Sequence, residues 1–176
     1  INSEEGHIVN TSSINGFWAS LGGTPHTSYS AAKFAVKGFS EALIDDLRVN
    51  APHVDVSVVM PGHIGTSIAE NTGKIIGGIK TEEDLEKVKE NMIKMGMPVH
   101  NFTPEQIKQQ IKENAEAFKN NAPTTSAEAA DVILSAVKKK QWRILVGDDA
   151  KAIDEWVRSA PENAYNIHYN GEKREN

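Results

Sequence analysis

Hydrophobic and polar positions change their period several times along this chain, and each change predicts an element. Residues 7–11, His7-Ile8-Val9-Asn10-Thr11, form a short apolar run between Gly6 and the pair Ser12-Ser13, which predicts a strand. From Ser28, a predicted N-cap, the positions Ala32, Ala35, Val36, Phe39, Leu43 and Leu47 follow the i, i+3, i+4 stripe of a helix that Pro52 ends near Asn50. Val54 to Met60 is rich in β-branched residues and reads as a buried parallel strand. Two capping boxes follow. Thr81 with Asp84 precedes Leu85, Val88, Met92 and Met95, and Thr103-Pro104 with Gln106 precedes Ile107, Ile111, Ala115 and Phe118. Ser126 is the predicted cap of a further helix that turns Ala129, Val132, Ile133, Ala136 and Val137 inward. Trp142–Val146 reads as the last strand, and Asp148-Asp149 as the cap of a last helix carrying Ile153, Trp156, Val157 and Ala160. Residues 161–176 read as a polar, frayed tail.

Strands that alternate with helices predict an α/β fold, the second half of a doubly wound parallel sheet, with helices inserted at about residues 67–123. Ligands of such sheets bind beyond the carboxyl ends of the strands. Ser13 and the pair Pro61-Gly62 follow two successive strands, so both are expected at that edge.

Composition narrows the function classes. The 176 residues carry 19 Lys+Arg against 24 Asp+Glu, a net charge of -5, which gives no electrostatic footprint for nucleic acid. Lys138-Lys139-Lys140 closes a predicted helix, where cations favour the dipole, and reads as a solvated end. With no cysteine there is no disulfide, thiol nucleophile or thiolate metal site. The histidines lack metal-ligand spacing, so no metal is expected. No apolar run reaches bilayer length, so a membrane role is not expected; the expected location is cytoplasmic, although a chain that opens without Met says little about a leader.

The chemistry is concentrated in Ser28-Tyr29-Ser30-Ala31-Ala32-Lys33. A phenol and an ammonium four positions apart share one helix face. A neighbouring positive charge favours phenolate over phenol, which is expected to make the tyrosine a usable proton donor and acceptor. Taken alone, the pair is as common as any tyrosine and lysine on a helix surface. Its context is not common: Ile8-Val9-Asn10-Thr11-Ser12-Ser13-Ile14-Asn15-Gly16 stands upstream, and Val58-Val59-Met60-Pro61-Gly62-His63-Ile64-Gly65-Thr66 downstream.

These three motifs, in this order, resemble the short-chain dehydrogenase/reductase family, tightly over residues 6–68 and in element order to about residue 160. The resemblance implies a Rossmann-type domain over residues 1–160 and reversible hydride transfer between a nicotinamide cofactor, NAD or NADP, and an alcohol or carbonyl. It implies Tyr29 as the acid/base, Lys33 as its partner and a ribose ligand, and Ser13, rather than Ser12, as donor to the substrate oxygen. Pro61, Gly62, Ile64 and Thr66 would border the nicotinamide, with Gly62 permitting close backbone approach, and His63 is a pocket-wall candidate. Ser13 and Tyr29 stand a few residues further apart than is usual, with Ser20-Leu21-Gly22-Gly23-Thr24 as the expected extension.

The family's glycine-rich loop is not found, and the chain opens at Ile1 without Met, so it is expected to be the C-terminal portion of a longer protein and inactive alone. Phe17, Trp18, Met92, Met95, Met97 and Phe102 point to an apolar alcohol or ketone as substrate, although the methionines could equally pack the inserted helices together. An outward apolar set on the Tyr29 helix, Phe34 and Ile44, fits the homodimer or homotetramer that the family forms. Two other readings stand beside the dehydrogenase: a nucleotide-sugar epimerase or dehydratase, whose relatives share the Tyr/Lys pair, and a dinucleotide-binding protein without catalysis.

Overall fold

The computed structural model describes residues 4–19, 26–75 and 78–166. In chain order the elements are β1 (Gly6–Thr11), a 3-10 turn (Ile14–Gly16), α1 (Thr27–Asn50), β2 (Val54–Pro61), β3 (Ile64–Gly65), α2 (Ile68–Ile75), α3 (Glu82–Lys94), α4 (Pro104–Asn120), β4 (Thr124–Thr125), α5 (Ser126–Lys138), β5 (Arg143–Val146), α6 (Asp148–Ser159) and a 3-10 turn (Pro161–Asn163). The chain divides into two compact units, Ile1–Ile64 with Ser126–Asn176, and Gly65–Thr125.

The first unit is the expected parallel α/β arrangement. Its strands lie in the order β1-β2-β5, all parallel, with Thr11 level with Val59 and Pro61 level with Val146. The carboxyl ends of the three strands therefore form one edge. β2 is central, and Val56 to Met60 are buried in it. β1, an apolar run by sequence, pairs only with β2 among the described residues and leaves Ile8 37% and Val9 41% exposed. An apolar run cannot distinguish a central strand from a flank.

Side chains identify the layers. Asn10, level with Val58, donates from its side-chain amide to Ser40 Oγ on α1 at 3.0 Å, so α1 covers that face of the sheet. On the other face Val59, Ile144 and Val146 pack beneath Ala129 and Ala136 of α5. Ala150 and Ile153 of α6 pack with Ile14 and Trp18 at the turn after β1, and Leu145 joins them.

The helix bearing Tyr29 is rotated from its predicted orientation. Its buried residues are Ser30 and Ser40, whereas Ala32, Ala35 and Phe39 are exposed, Phe39 to 62%. The reason is the surface it meets: the Asn15 amide donates to Ser30 Oγ at 3.3 Å, the Asn10 amide reaches Ser40 Oγ, and Ser40 Oγ donates to the Val36 carbonyl at 2.7 Å. Buried hydroxyls are tolerated when they are bonded in this way. Of the expected outward pair, Phe34 is exposed and Ile44 half-buried.

Several boundaries also differ. His26, not Ser28, is the N-cap of α1, because the Ser30 N–H already closes the first turn on the His26 carbonyl at 2.7 Å. Ser126 is the first residue of α5 rather than its cap, and Val132 faces outward. Gly147 is the N-cap of α6, and Asp148 and Asp149 lie in its first turn, where carboxylates favour the dipole. The start of the expected tail is packed. Ala164 is 1% exposed and its carbonyl accepts from Trp18 Nε1 at 2.8 Å, while the Ala19 N–H donates to the Tyr165 hydroxyl at 3.1 Å.

The second unit is mainly helical. α3 and α4 begin at the two predicted capping boxes, and both are complete: Thr81 with Asp84, and Thr103 with Gln106 behind Pro104. Leu85, Met92, Val99 and Ile107 form its core, with Met97 and Phe102 packed against them. α2 is an addition to the predicted elements.

Candidate functional site

The site begins where β1 stops. The Ser12 N–H donates to the Val59 carbonyl at 2.8 Å, the last rung between the strands, and the chain then turns through Ile14–Gly16. The two serines have different tasks. Ser12 Oγ donates to the Lys33 carbonyl at 2.7 Å, which commits its proton. Ser13 Oγ caps the turn by accepting the Asn15 N–H at 3.2 Å, and so keeps its own O–H to donate. Gly16 lies against α1 so closely that a Cβ there would collide with Ser12 Oγ and come within 2.9 Å of the Lys33 carbonyl oxygen. Ser12, Gly16 and the Lys33 backbone are thus locked together.

Tyr29 and Lys33 lie on the first turns of α1 as the spacing predicts. The Lys33 ammonium is 5.6 Å from the Tyr29 ring centroid, within cation–π range, and donates to the Thr11 carbonyl at 3.0 Å. Tyr29 is 45% exposed, with the His26 ring edge-on at 6.3 Å between centroids. Lys33 is therefore joined by its side chain to Thr11 and by its backbone to Ser12, the two residues that lead into Ser13. The Lys33 ammonium, with the Tyr29 ring beside it, thus reaches the end of β1, from which the chain leads into Ser13, and phenol, ammonium and hydroxyl are groups that can hold a carbonyl or hydroxyl oxygen and exchange a proton with it.

Pro61 ends β2 level with Val146, and the Gly62 N–H donates to the Val146 carbonyl at 2.9 Å. The next N–H, that of His63, donates to Asp149 Oδ2 at 2.7 Å. Ile64 is half-buried against the α5 cluster. Thr66 is half-buried and belongs to the second unit, ahead of α2. The expected loop extension, Ser20 to Thr24, lies outside the described residues. Asp149 is the residue at this edge that sequence reading missed as a site group. Its sole signal was two acidic residues after a strand, which reads as a helix start.

Of the residues read as pointing to an apolar substrate, all but Met95 pack in the two cores. Trp18 is 0% exposed and meets Trp156 edge-on at 5.1 Å, in the core beneath α6. Phe17 packs on the same cluster and beneath the Arg143 guanidinium. Met92, Met97 and Phe102 build the core of the second unit, and Met95 is exposed. Among the described residues no group of three His, Asp or Glu side chains is placed to hold a metal, and no helix is long and apolar enough to cross a membrane.

Comparison with known proteins agrees with this fold. Residues 1–76 match the short chain dehydrogenase family. The putative oxidoreductase SadH of Mycobacterium tuberculosis is 35% identical over 159 residues, which cover 90% of this chain and 45% of SadH. The 3-ketodihydrosphingosine reductase of Bacteroides thetaiotaomicron is 43% identical over 70 residues, 39% of this chain and 24% of that enzyme. Among solved structures, a short chain dehydrogenase/reductase from Burkholderia phymatum in complex with NAD superposes with a TM-score of 0.58 at 22% identity, over 91% of this chain and 48% of its own. The chain thus spans less than half the length of SadH and of the Burkholderia protein. Its fold is that of the latter, and the segment that carries Ser13, Tyr29 and Lys33 lies within the match to the short chain dehydrogenase family.

Proposed function

We propose that the intact protein is an NAD- or NADP-dependent oxidoreductase that interconverts an alcohol and a ketone or aldehyde at Ser13, Tyr29 and Lys33. The observation that carries this reading is the bonding of Lys33, whose ammonium lies beside the Tyr29 ring while bonded to the strand end that leads into Ser13. The donor set fits a nicotinamide nucleotide. Lys33 and Tyr29 present N–H and O–H groups suited to ribose hydroxyls, and the backbone of Pro61, Gly62 and Ile64 suits a carboxamide. When bound, that cofactor supplies or accepts the hydride.

The chain's own part is to orient the substrate oxygen and to move one proton. Ser13 is the serine suited to donate to the substrate oxygen, because the Ser12 proton is already given to the Lys33 carbonyl. The Tyr29 O–H, open at the rim, gives its proton to the carbonyl oxygen in reduction and takes it back in oxidation. Lys33 holds a positive charge beside that phenol through both directions.

Tyr29→Phe keeps the ring and its packing but removes the transferable proton. In the intact enzyme it should lower kcat/KM by about 10²–10⁴-fold, the span of a lost acid/base group, read by nicotinamide absorbance. Near-normal turnover would place the proton path elsewhere.

A further inference from the structure

Gly62 is expected to be a glycine because a nucleotide passes over it. The structure supplies a different neighbour. A Cβ built on Gly62 would fall on the Asp149 carboxylate, well inside van der Waals contact with Oδ1, Oδ2 and Cγ together. The hydrogen in that direction faces the two carboxylate oxygens, a weak C–H···O contact. The next residue makes a strong one, the His63 N–H donating to Oδ2 at 2.7 Å. One carboxylate on the first turn of α6 therefore grips two consecutive backbone units of the turn after β2. A side chain of any size at position 62 would dislodge it.

The arrangement is not explained by stability alone. Asp149 Oδ1 is buried and accepts from no group of the described protein, and a buried acceptor left without a donor costs free energy. A smaller or apolar residue at position 149 would avoid that cost. It would also release the turn that follows Pro61 at the carboxyl edge, just past the level of Val146 at the end of β5.

We infer that Asp149 is a positioning residue: its carboxylate, seated against Gly62, fixes the backbone from Gly62 to His63, and that fixed turn sets the affinity for the nicotinamide nucleotide. The nucleotide part of this inference rests on the proposed function; the carboxylate seat does not.

The test is a double-mutant cycle in the intact protein, read in two independent ways. By thermal melting, Gly62→Ala should lower Tm by roughly 5–10 °C, the size of an overpacking defect. The same change should cost almost nothing in the Asp149→Ala background, where the seat is vacated, and should remain harmful in the isosteric Asp149→Asn background. Additive effects of Gly62→Ala and Asp149→Ala would overturn the inference. By titration with NADH and NADPH, Asp149→Ala should weaken binding of the preferred nucleotide roughly ten- to a hundredfold, the range of one charge-assisted hydrogen bond. Turnover at saturating nucleotide should stay within about threefold of wild type, because the lost interaction is a uniform binding one. Asp149→Asn, which keeps an oxygen for the His63 N–H, should restore affinity. Coupled melting with unchanged affinity in Asp149→Ala would also overturn it, leaving a purely structural contact. If the unmodified protein binds neither nucleotide, the proposed function fails, and the melting cycle still decides whether the seat exists.

Discussion

The two compact units are secured at different ranges along the chain. In the helical unit the decisive bonds close over three residues: Thr81 with Asp84, and Thr103 with Gln106, each side chain bonding the other residue's backbone. In the sheet unit they cross the sequence. Ser12 holds the Lys33 carbonyl, Trp18 reaches the Ala164 carbonyl, Ser57 donates to the Gln141 carbonyl at 2.6 Å, and Asp149 holds the His63 N–H. Local bonds make an element start in the right place. Long-range bonds decide which face of an element is buried and where its end is held. Chemistry that needs groups brought together from distant segments belongs with the second kind.

This contrast is sharpened most by a core change in the sheet unit. Trp18→Ala removes a fully buried ring, its edge contact with Trp156 and the bond to the Ala164 carbonyl, and should cost about 3–5 kcal/mol in denaturant unfolding. A loss below about 1 kcal/mol would mean that the segment after α6 is not part of the core. A smaller effect is expected from a local bond: Thr103→Ala should cost about 1 kcal/mol and raise amide exchange in the first turn of α4. If instead it melted the whole of α4, the capping box would be more than a start signal.

The smallest effect is electrostatic. The Asp84 carboxyl is held below its ordinary value, first by its side-chain hydrogen bond with Thr81 and then by the N–H groups of Lys80 and Thr81. A depressed carboxylate contributes its stabilisation fully above its unfolded pKa of ~3.9 and loses it as pH falls through the folded value. Acid titration followed by amide resonances should therefore show the start of α3 fraying only below about pH 4. The same turn fraying near neutrality would contradict this.

What was legible in the sequence follows the same division. The capping boxes, the Tyr29–Lys33 spacing and the parallel strands could be read because each signal lies within a few residues. The buried face of α1 could not. A periodic count of apolar residues selects Ala32 and Phe39, whereas the helix is turned by asparagines at positions 10 and 15 that accommodate Ser30 and Ser40. Trp18 read as a pointer to an apolar substrate because its partners, Trp156 and Ala164, lie more than a hundred residues away. Asp149 was hidden for the same reason: nothing near it in the chain hints that it meets Gly62 and His63.

Lys33 is tethered at both ends, by its carbonyl to Ser12 and by its tip to Thr11. A free lysine tail carries about 2 kcal/mol of rotamer entropy, which a ligand ordinarily has to quench on arrival. Here the tail is already stilled by the fold. A visiting molecule would meet an ammonium whose direction is chosen in advance, with only its remaining hydrogens left to aim.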